Sequence, residues 1–169
     1  MNPITLDSLI AFPQQLEAYY RAVPAGYENW KPASWDGIPS EPFSAIEQIC
    51  HVRDIEVDGY HERFRRALRE TNPTLENVDG ETLAVQRAYA GADADEVFSA
   101  FRAARAKTME LIAAFTPGQL ERTAVFDAAP ITLRGLVHML CSHDQQHLAG
   151  LQWLMARIDS SVPRESLAD

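Results

Sequence analysis

An all-α fold is expected for this sequence: an up-down-down-up or related four-helix bundle with a long Trp/Pro-rich loop between helices 1 and 2. Three features lead there. Four long segments repeat apolar residues at spacings of three and four, the period of a helix with one buried face. No segment alternates with period two over a useful length, and Ala124-Val125-Phe126 is too short to count as a strand. With 169 residues, 46% of them hydrophobic, the chain is the size of one domain with a proper core, so 1–169 is read as a single helical bundle domain.

The first helix is expected over 5–23, with Leu6, Leu9, Ile10, Leu16, Tyr19 and Tyr20 as its apolar set. Pro13 lies inside it and is expected to kink or restart it, because proline lacks an N–H. The loop 24–42 follows, rich in Pro, Gly and Trp, and loops of this length are often functional. The second helix is expected over 44–69, with Phe43, Ile46, Cys50, Val57, Tyr60, Phe64 and Ala67 on its core side. Thr71-Asn72-Pro73 ends it. Residues 74–94 are poorly patterned, with a short helix expected over 82–89. The third long helix covers 95–115 and stops at Thr116-Pro117-Gly118. The fourth covers 132–159, with Thr132 as N-cap after Pro130 and a frayed tail after Ser160.

The formal charge of -9 argues against nucleic-acid binding, which normally shows a basic stripe. The one basic cluster is Arg63, Arg65, Arg66 and Arg69, interleaved with Glu62 and Glu70. It is expected as a solvated helix face, with a phosphate-binding patch as the alternative. No run approaches the ~20 apolar residues of a membrane span. Met1-Asn2-Pro3-Ile4-Thr5 lacks a basic region followed by an apolar one, so a cytoplasmic location is expected. Cys50 and Cys141 form no C-x-x-C pair and are expected as small core residues. A small-molecule substrate is expected as partner.

The chemistry concentrates in Cys141-Ser142-His143-Asp144-Gln145-Gln146-His147. Residues four apart share a helix face. The apolar stripe here reads Leu133, Leu136, Leu140, His143, His147, Leu151, Leu154, Ile158, so both imidazoles stand in line with core leucines. Buried polar groups need partners, and a divalent metal is an economical one. Core histidines satisfied by other side chains are the alternative. Three further histidines compete for a third ligand position. His138 is five residues before His143, about 140° around the helix, and points elsewhere. His61 lies among Glu62, Arg63 and Arg65 and is read as surface. His51 shares its face with Glu47, Asp54 and Asp58, an acidic stripe that can accept from a ligand imidazole or stand simply solvated. His143-Asp144-Gln145-Gln146-His147 is also a near miss to H-E-x-x-H, with Asp144 in the place of the glutamate base. Asp144 could orient a metal-bound water or bond to a neighbouring helix. Asp144 and Asp54 are the candidate catalytic residues.

The helix-two pattern His51-x-x-Asp54 and the helix-four pattern Thr132-Leu133-x-x-Leu136, followed by His143-Asp144-x-x-His147, resemble the DinB/YfiT-like superfamily of metal-binding four-helix bundles. Trp30-Lys31-Pro32 and the stretch from Glu47 to Asp54 support it, and the resemblance covers nearly the whole chain. It implies one metal-holding histidine from helix two and two from helix four, here His51, His143 and His147. Members similar to this family activate a low-molecular-weight thiol, as in thiol S-transferases and a mycothiol-dependent isomerase. The resemblance thus implies a thiol S-transferase or hydrolase acting on a small electrophile, with a non-catalytic metal-binding or stress-associated bundle as the alternative. Three imidazoles suit zinc, nickel, copper or iron, and zinc and nickel lead. A homodimer is expected, because Trp30, Trp35, Phe43, Tyr60, Tyr89 and Trp153 exceed the needs of one core unless the Trp-rich loop folds back over them.

Overall fold

The computed structural model describes residues 1–161. The tail expected to fray lies outside them except for Ser161, which is helical. Four long helical rods form the bundle: α1 (Pro3–Arg21); α2 (Ala45–Asp54), which continues through a π-helical stretch (Ile55–His61) into α3 (Glu62–Arg69); α5 (Ala94–Ala114); and α7 (Leu133–Ser161). The short α4 (Gly80–Gln86) and α6 (Pro117–Leu120) connect them. α1 and α2 each pack against both α5 and α7. Thr5 meets His138 and Ser8 meets Cys141, so α1 and α7 run in the same direction. Phe12 meets Phe101 and Arg21 meets Asp95, so α5 runs against α1. Glu56 meets Arg105 and His61 meets Thr108, so the second rod runs with α5. The order is therefore up-down-down-up.

Helix starts follow their caps. Asn2 accepts from the Ile4 N–H at 3.0 Å, and Pro3 fills the first position, where its missing N–H costs nothing. This moves the start of α1 two residues ahead of expectation. Glu47 reaches back to the Ser44 N–H at 2.9 Å to open α2, and Thr132 accepts from the Gly135 N–H at 3.0 Å to open α7.

Pro13 does not break α1, which runs through it. The carbonyl that an N–H at position 13 would have served is that of Leu9. It accepts instead from Arg105 Nη1 at 2.8 Å, so the missing hydrogen bond is replaced from α5.

The second rod departs from a regular helix. Each residue inserted by a π turn rotates the downstream part of the rod by about 100°. Val57, expected on the core side, is 44% exposed, while Glu56 beside it is buried. Arg63, expected on the solvated face, is only 5% exposed.

Strands are present after all. β1 (Thr74–Leu75) pairs in parallel with β2 (Thr123–Phe126), which pairs antiparallel with β3 (Ala129–Thr132). Asp127 and Ala128 join β2 to β3, both at positive φ, as a two-residue hairpin turn demands. This sheet packs on the lower core around Phe64, Leu133, Leu136 and Leu140, while Phe12, Phe98, Phe101 and Leu151 belong to the upper core. Each such buried side chain contributes roughly 1.5–3 kcal/mol over leaving it in water.

The Trp-rich loop folds back on the bundle. Trp35 stacks on Trp153 of α7, with centroids 6.0 Å apart, and Trp30 lies against Tyr27 and the upper core. Phe43, Tyr60 and Tyr89 are buried inside the chain. The aromatic residues nominated for a shared surface are thus largely used within one molecule.

Candidate metal centre

The middle of the second rod faces α7 here, and loop residue Glu41 covers the contact. Antiparallel packing of these rods sets His51 opposite His143 and His147. The Nε2 atoms of His143 and His51 are 3.3 Å apart, and those of His147 and His143 3.1 Å. Glu41 closes the group, with Oε2 at 3.2 Å from His147 Nε2 and Oε1 at 3.6 Å from His51 Nε2. All four ligand atoms lie within 4.8 Å of one another. Four ligands at about 2.05 Å around a tetrahedral ion stand about 3.3 Å apart. The residues therefore fit a divalent ion.

Neighbours fix how the rings present themselves. His147 Nδ1 donates to Gln48 Oε1, which leaves the Nε2 lone pair directed at the cluster. Gln48 is held in turn: its amide nitrogen donates to Ser40 Oγ at 2.8 Å and to the Glu41 carbonyl at 3.2 Å. One glutamine thus orients a ring and anchors the loop that carries Glu41. The loop comes this close because position 150 is glycine; a Cβ there would collide with Ser40 Oγ. His51 Nδ1 is buried without a partner among the described residues. Its ring lies under Gly80, where a Cβ would come within 2.6 Å of Nδ1 and Cε1.

The electrostatics suit metal binding. Burial pushes His51 down to about 4, and burial with the neighbouring imidazoles holds His143 well below its ordinary value. Contact with His147 lowers Glu41 to about 2. Two imidazoles stay neutral and the carboxylate stays charged, the forms that bind a metal.

The family model described as the DinB superfamily matches residues 12–151. The chain belongs to this superfamily. No curated protein matches the sequence. Among solved structures, YfiT from Bacillus subtilis is similar, with a TM-score of 0.78 over 92% of this chain and 86% of that one, at 18% identity. It is described as a probable metal-dependent hydrolase with an unusual four-helix bundle topology. At that identity the likeness is one of fold.

This DinB-superfamily bundle does not bring the two candidate catalytic aspartates to the cluster. Asp144 is one residue, about 100°, past His143, and it points into the bundle. It bonds to Arg105 Nη1 at 2.8 Å and Nη2 at 3.0 Å. Burial pushes its carboxyl up to about 7, against the pull of Arg105. Asp54 accepts from Tyr89 Oη at 2.6 Å and pairs with Arg53 and Arg87. Glu47 takes Lys31, and Asp58 takes Arg87, so the acidic stripe serves other partners than His51. His138 bonds to Thr5. His61, expected at the surface, is half-buried and 2.8 Å from Thr108 Oγ1. Burial raises the Cys50 thiol to about 12, in keeping with a core role.

Glu41 and Gln48 were not singled out by sequence. Glu41 sits in a loop whose path no periodicity reveals, although the loop's length marked it. A cleft of about 430 Å³ opens beside the histidines. Tyr60, Arg63, Asn77 and Phe126 line it with His51 and His143. No helix among the described residues is long and apolar enough to cross a membrane.

Proposed function

We propose that the chain is a metal-dependent enzyme, a thiol S-transferase or hydrolase acting on a small electrophile in the cleft beside the histidines. The convergence of three imidazole nitrogens and one carboxylate on one point carries this proposal. His51, His143 and His147 would hold zinc or nickel. A divalent ion there supplies Lewis acidity, which lowers the pKa of a thiol or water toward neutral. The remaining work falls to the chain. Gln48 fixes the His147 ring. Burial keeps His51 and His143 free of protons. Glu41, 45% exposed and carried on a loop, is the member free to yield its place to an incoming group. Tyr60 keeps its proton, since burial raises its pKa, and serves as a wall. Asp144 and Asp54 are left to hold helices together, and Asp144 in particular is buried on Arg105, away from the cluster.

Metal analysis of protein purified without added metal, followed by incubation with a thiol-reactive electrophile and a cellular thiol, tests the proposal. Bound metal and metal-dependent loss of the electrophile are expected. Bound metal without turnover on electrophiles or activated esters would leave a storage or stress-associated bundle. No bound metal after loading with zinc or nickel would overturn the proposal. Self-association as a two-fold dimer is part of the proposal too, and light scattering at micromolar concentration decides it.

A further inference from the structure

Among the described residues, Arg63 has no carboxylate partner. It is buried, its guanidinium lies 4.9 Å from the Tyr60 ring centroid on one side and 4.5 Å from that of Phe126 on the other. Its hydrogen bonds go to neutral oxygens: the Glu76 carbonyl at 3.2 and 3.4 Å and Asn77 Oδ1 at 3.5 Å. Nη1 makes no hydrogen bond among the described residues. Asp127 lies nearby, within reach of its field but not of an ion pair, and its carboxylate is bonded by the Asn77 amide. Burial pulls the Arg63 pKa down, yet guanidinium keeps its proton at any physiological pH. A buried, uncompensated cation is expensive unless an anion comes to it.

The place matters as much as the charge. Among the described residues, Arg63 is the one arginine or lysine lining the cleft that also holds His51 and His143. Tyr60 stands between the two features, its ring 6.2 Å from that of His143 and 4.9 Å from the guanidinium. The π-helical stretch puts both Tyr60 and Arg63 on this face; π turns gather at functional sites.

Resting on the metal-enzyme proposal above, we infer that the substrate is a small carboxylic acid whose carboxylate docks on Arg63 while its reacting end faces the histidines. A carboxylate fits better than a phosphate. There is one guanidinium, with Nη1 left to receive a single anionic oxygen, and Glu41 and Asp127 on the same cleft disfavour a dianion. The apolar faces of Tyr60, Phe126 and Ile55 suit a short hydrocarbon spacer between the two ends.

Two probes that share a thiol separate the carboxylate from everything else: 3-mercaptopropionate and 2-mercaptoethanol. Calorimetric titration into zinc-loaded protein is expected to show the acid binding about tenfold tighter, the worth of one charge-assisted hydrogen bond. Arg63→Met keeps the stacked aliphatic stem and is expected to erase that preference. It should leave zinc content and 2-mercaptoethanol affinity unchanged. Equal affinities in the wild type, or a preference that survives in Arg63→Met, would overturn the inference. Should the variant fail to fold, the wild type still decides. In metal-free protein, propionate is expected to shift the Arg63 Nε–H resonance while propanol does not, and no shift with either would overturn the inference. This second arm needs no metal, so failure of zinc to bind and failure of the carboxylate site remain separate results.

Discussion

Two arginines are buried among the described residues, and they live in opposite surroundings. Arg105 spends every donor. Nε and Nη2 reach Glu56, Nη1 and Nη2 reach Asp144, and Nη1 also reaches the Leu9 carbonyl left free by Pro13. Thr108 extends the network, donating to Glu56 at 2.5 Å. Arg63 is stacked between two rings and pairs with no carboxylate among the described residues. The histidines divide likewise, since His61 is tied to Thr108 while His51 keeps an unpartnered nitrogen. Saturated polar groups join helices to one another. Arg63 and His51, which keep such free nitrogens, both line one cleft, and that is where a ligand gains most by binding.

The largest test of this division is Arg105→Met. It strips two buried carboxylates of the only cation they pair with among the described residues, and breaking a buried pair in this way costs about 3–5 kcal/mol. Urea unfolding should show that loss, whereas Arg63→Met, which orphans no buried carboxylate, should cost about 1 kcal/mol or less. Similar losses in the two variants would erase the distinction between a closed cluster and an open one.

Acid provides the next test. The native His51 has its pKa lowered to about 4, while in the unfolded chain it returns to its ordinary value of 6.5. Above pH 6.5 the ring is neutral in both states. Between 6.5 and 4 the unfolded chain takes up a proton that the native one refuses, so His51 contributes a loss of stability as pH falls, opposed by Asp144, whose raised carboxyl takes up its proton first in the native state. The shift corresponds to about 3 kcal/mol, and the lowered His143 acts in the same direction. Glu41, lowered to about 2, adds a further loss as pH falls from 4.5 toward 2. Urea midpoints of metal-free protein at pH 7 and 4.5 measure the slope, and His51→Gln should flatten it. A slope unaffected by that substitution would place the acid sensitivity elsewhere.

Gly80→Ala is a milder probe. A Cβ at 2.6 Å from the His51 ring forces the ring or α4 to move. Zinc affinity should fall about tenfold, as it does when the groups that set a ligand's orientation are disturbed, with about 1 kcal/mol lost from the fold. Gly118→Ala is the control, since nothing lies within 4 Å of the added carbon. Unchanged zinc affinity in Gly80→Ala would show that the His51 ring is not held by the glycine.

Much of this was legible in the sequence, and the failures have physical causes. The long helices follow from apolar spacing, and the stripe through His143 and His147 is buried apart from the half-exposed His143. Arg105 stands four residues from Phe101, on the core stripe of α5, and a cation in that position is the sequence signal of a buried ion pair. The π stretch left no mark in composition, yet it turned Val57 out and brought Arg63 in. The sheet escaped because its strands are two and four residues long and Asp127-Ala128 lacks the glycine that announces such a turn. Glu41 and Asn77 reach the cleft by loop paths, and no local rule links their positions to the histidines.

The smallest expected effect on the fold comes from His143→Ala, and it is the most telling for the open cluster. His143 bonds only to other imidazoles, at 3.1 and 3.3 Å, and shares no carboxylate or backbone partner with a neighbouring helix. Its removal orphans little, and it relieves the crowding of basic nitrogens that holds its own pKa down. The bundle's two apolar cores are untouched, so the variant should stay folded, with stability within about 0.5 kcal/mol of the metal-free parent. Metal affinity should fall steeply, because the site loses one of its four ligand atoms and the one remaining carboxylate is carried on a loop. Far-UV circular dichroism and metal analysis together decide. A variant that unfolds would show that the histidines, like Arg105, belong to the closed framework, and the division between the two regions would fail at its centre.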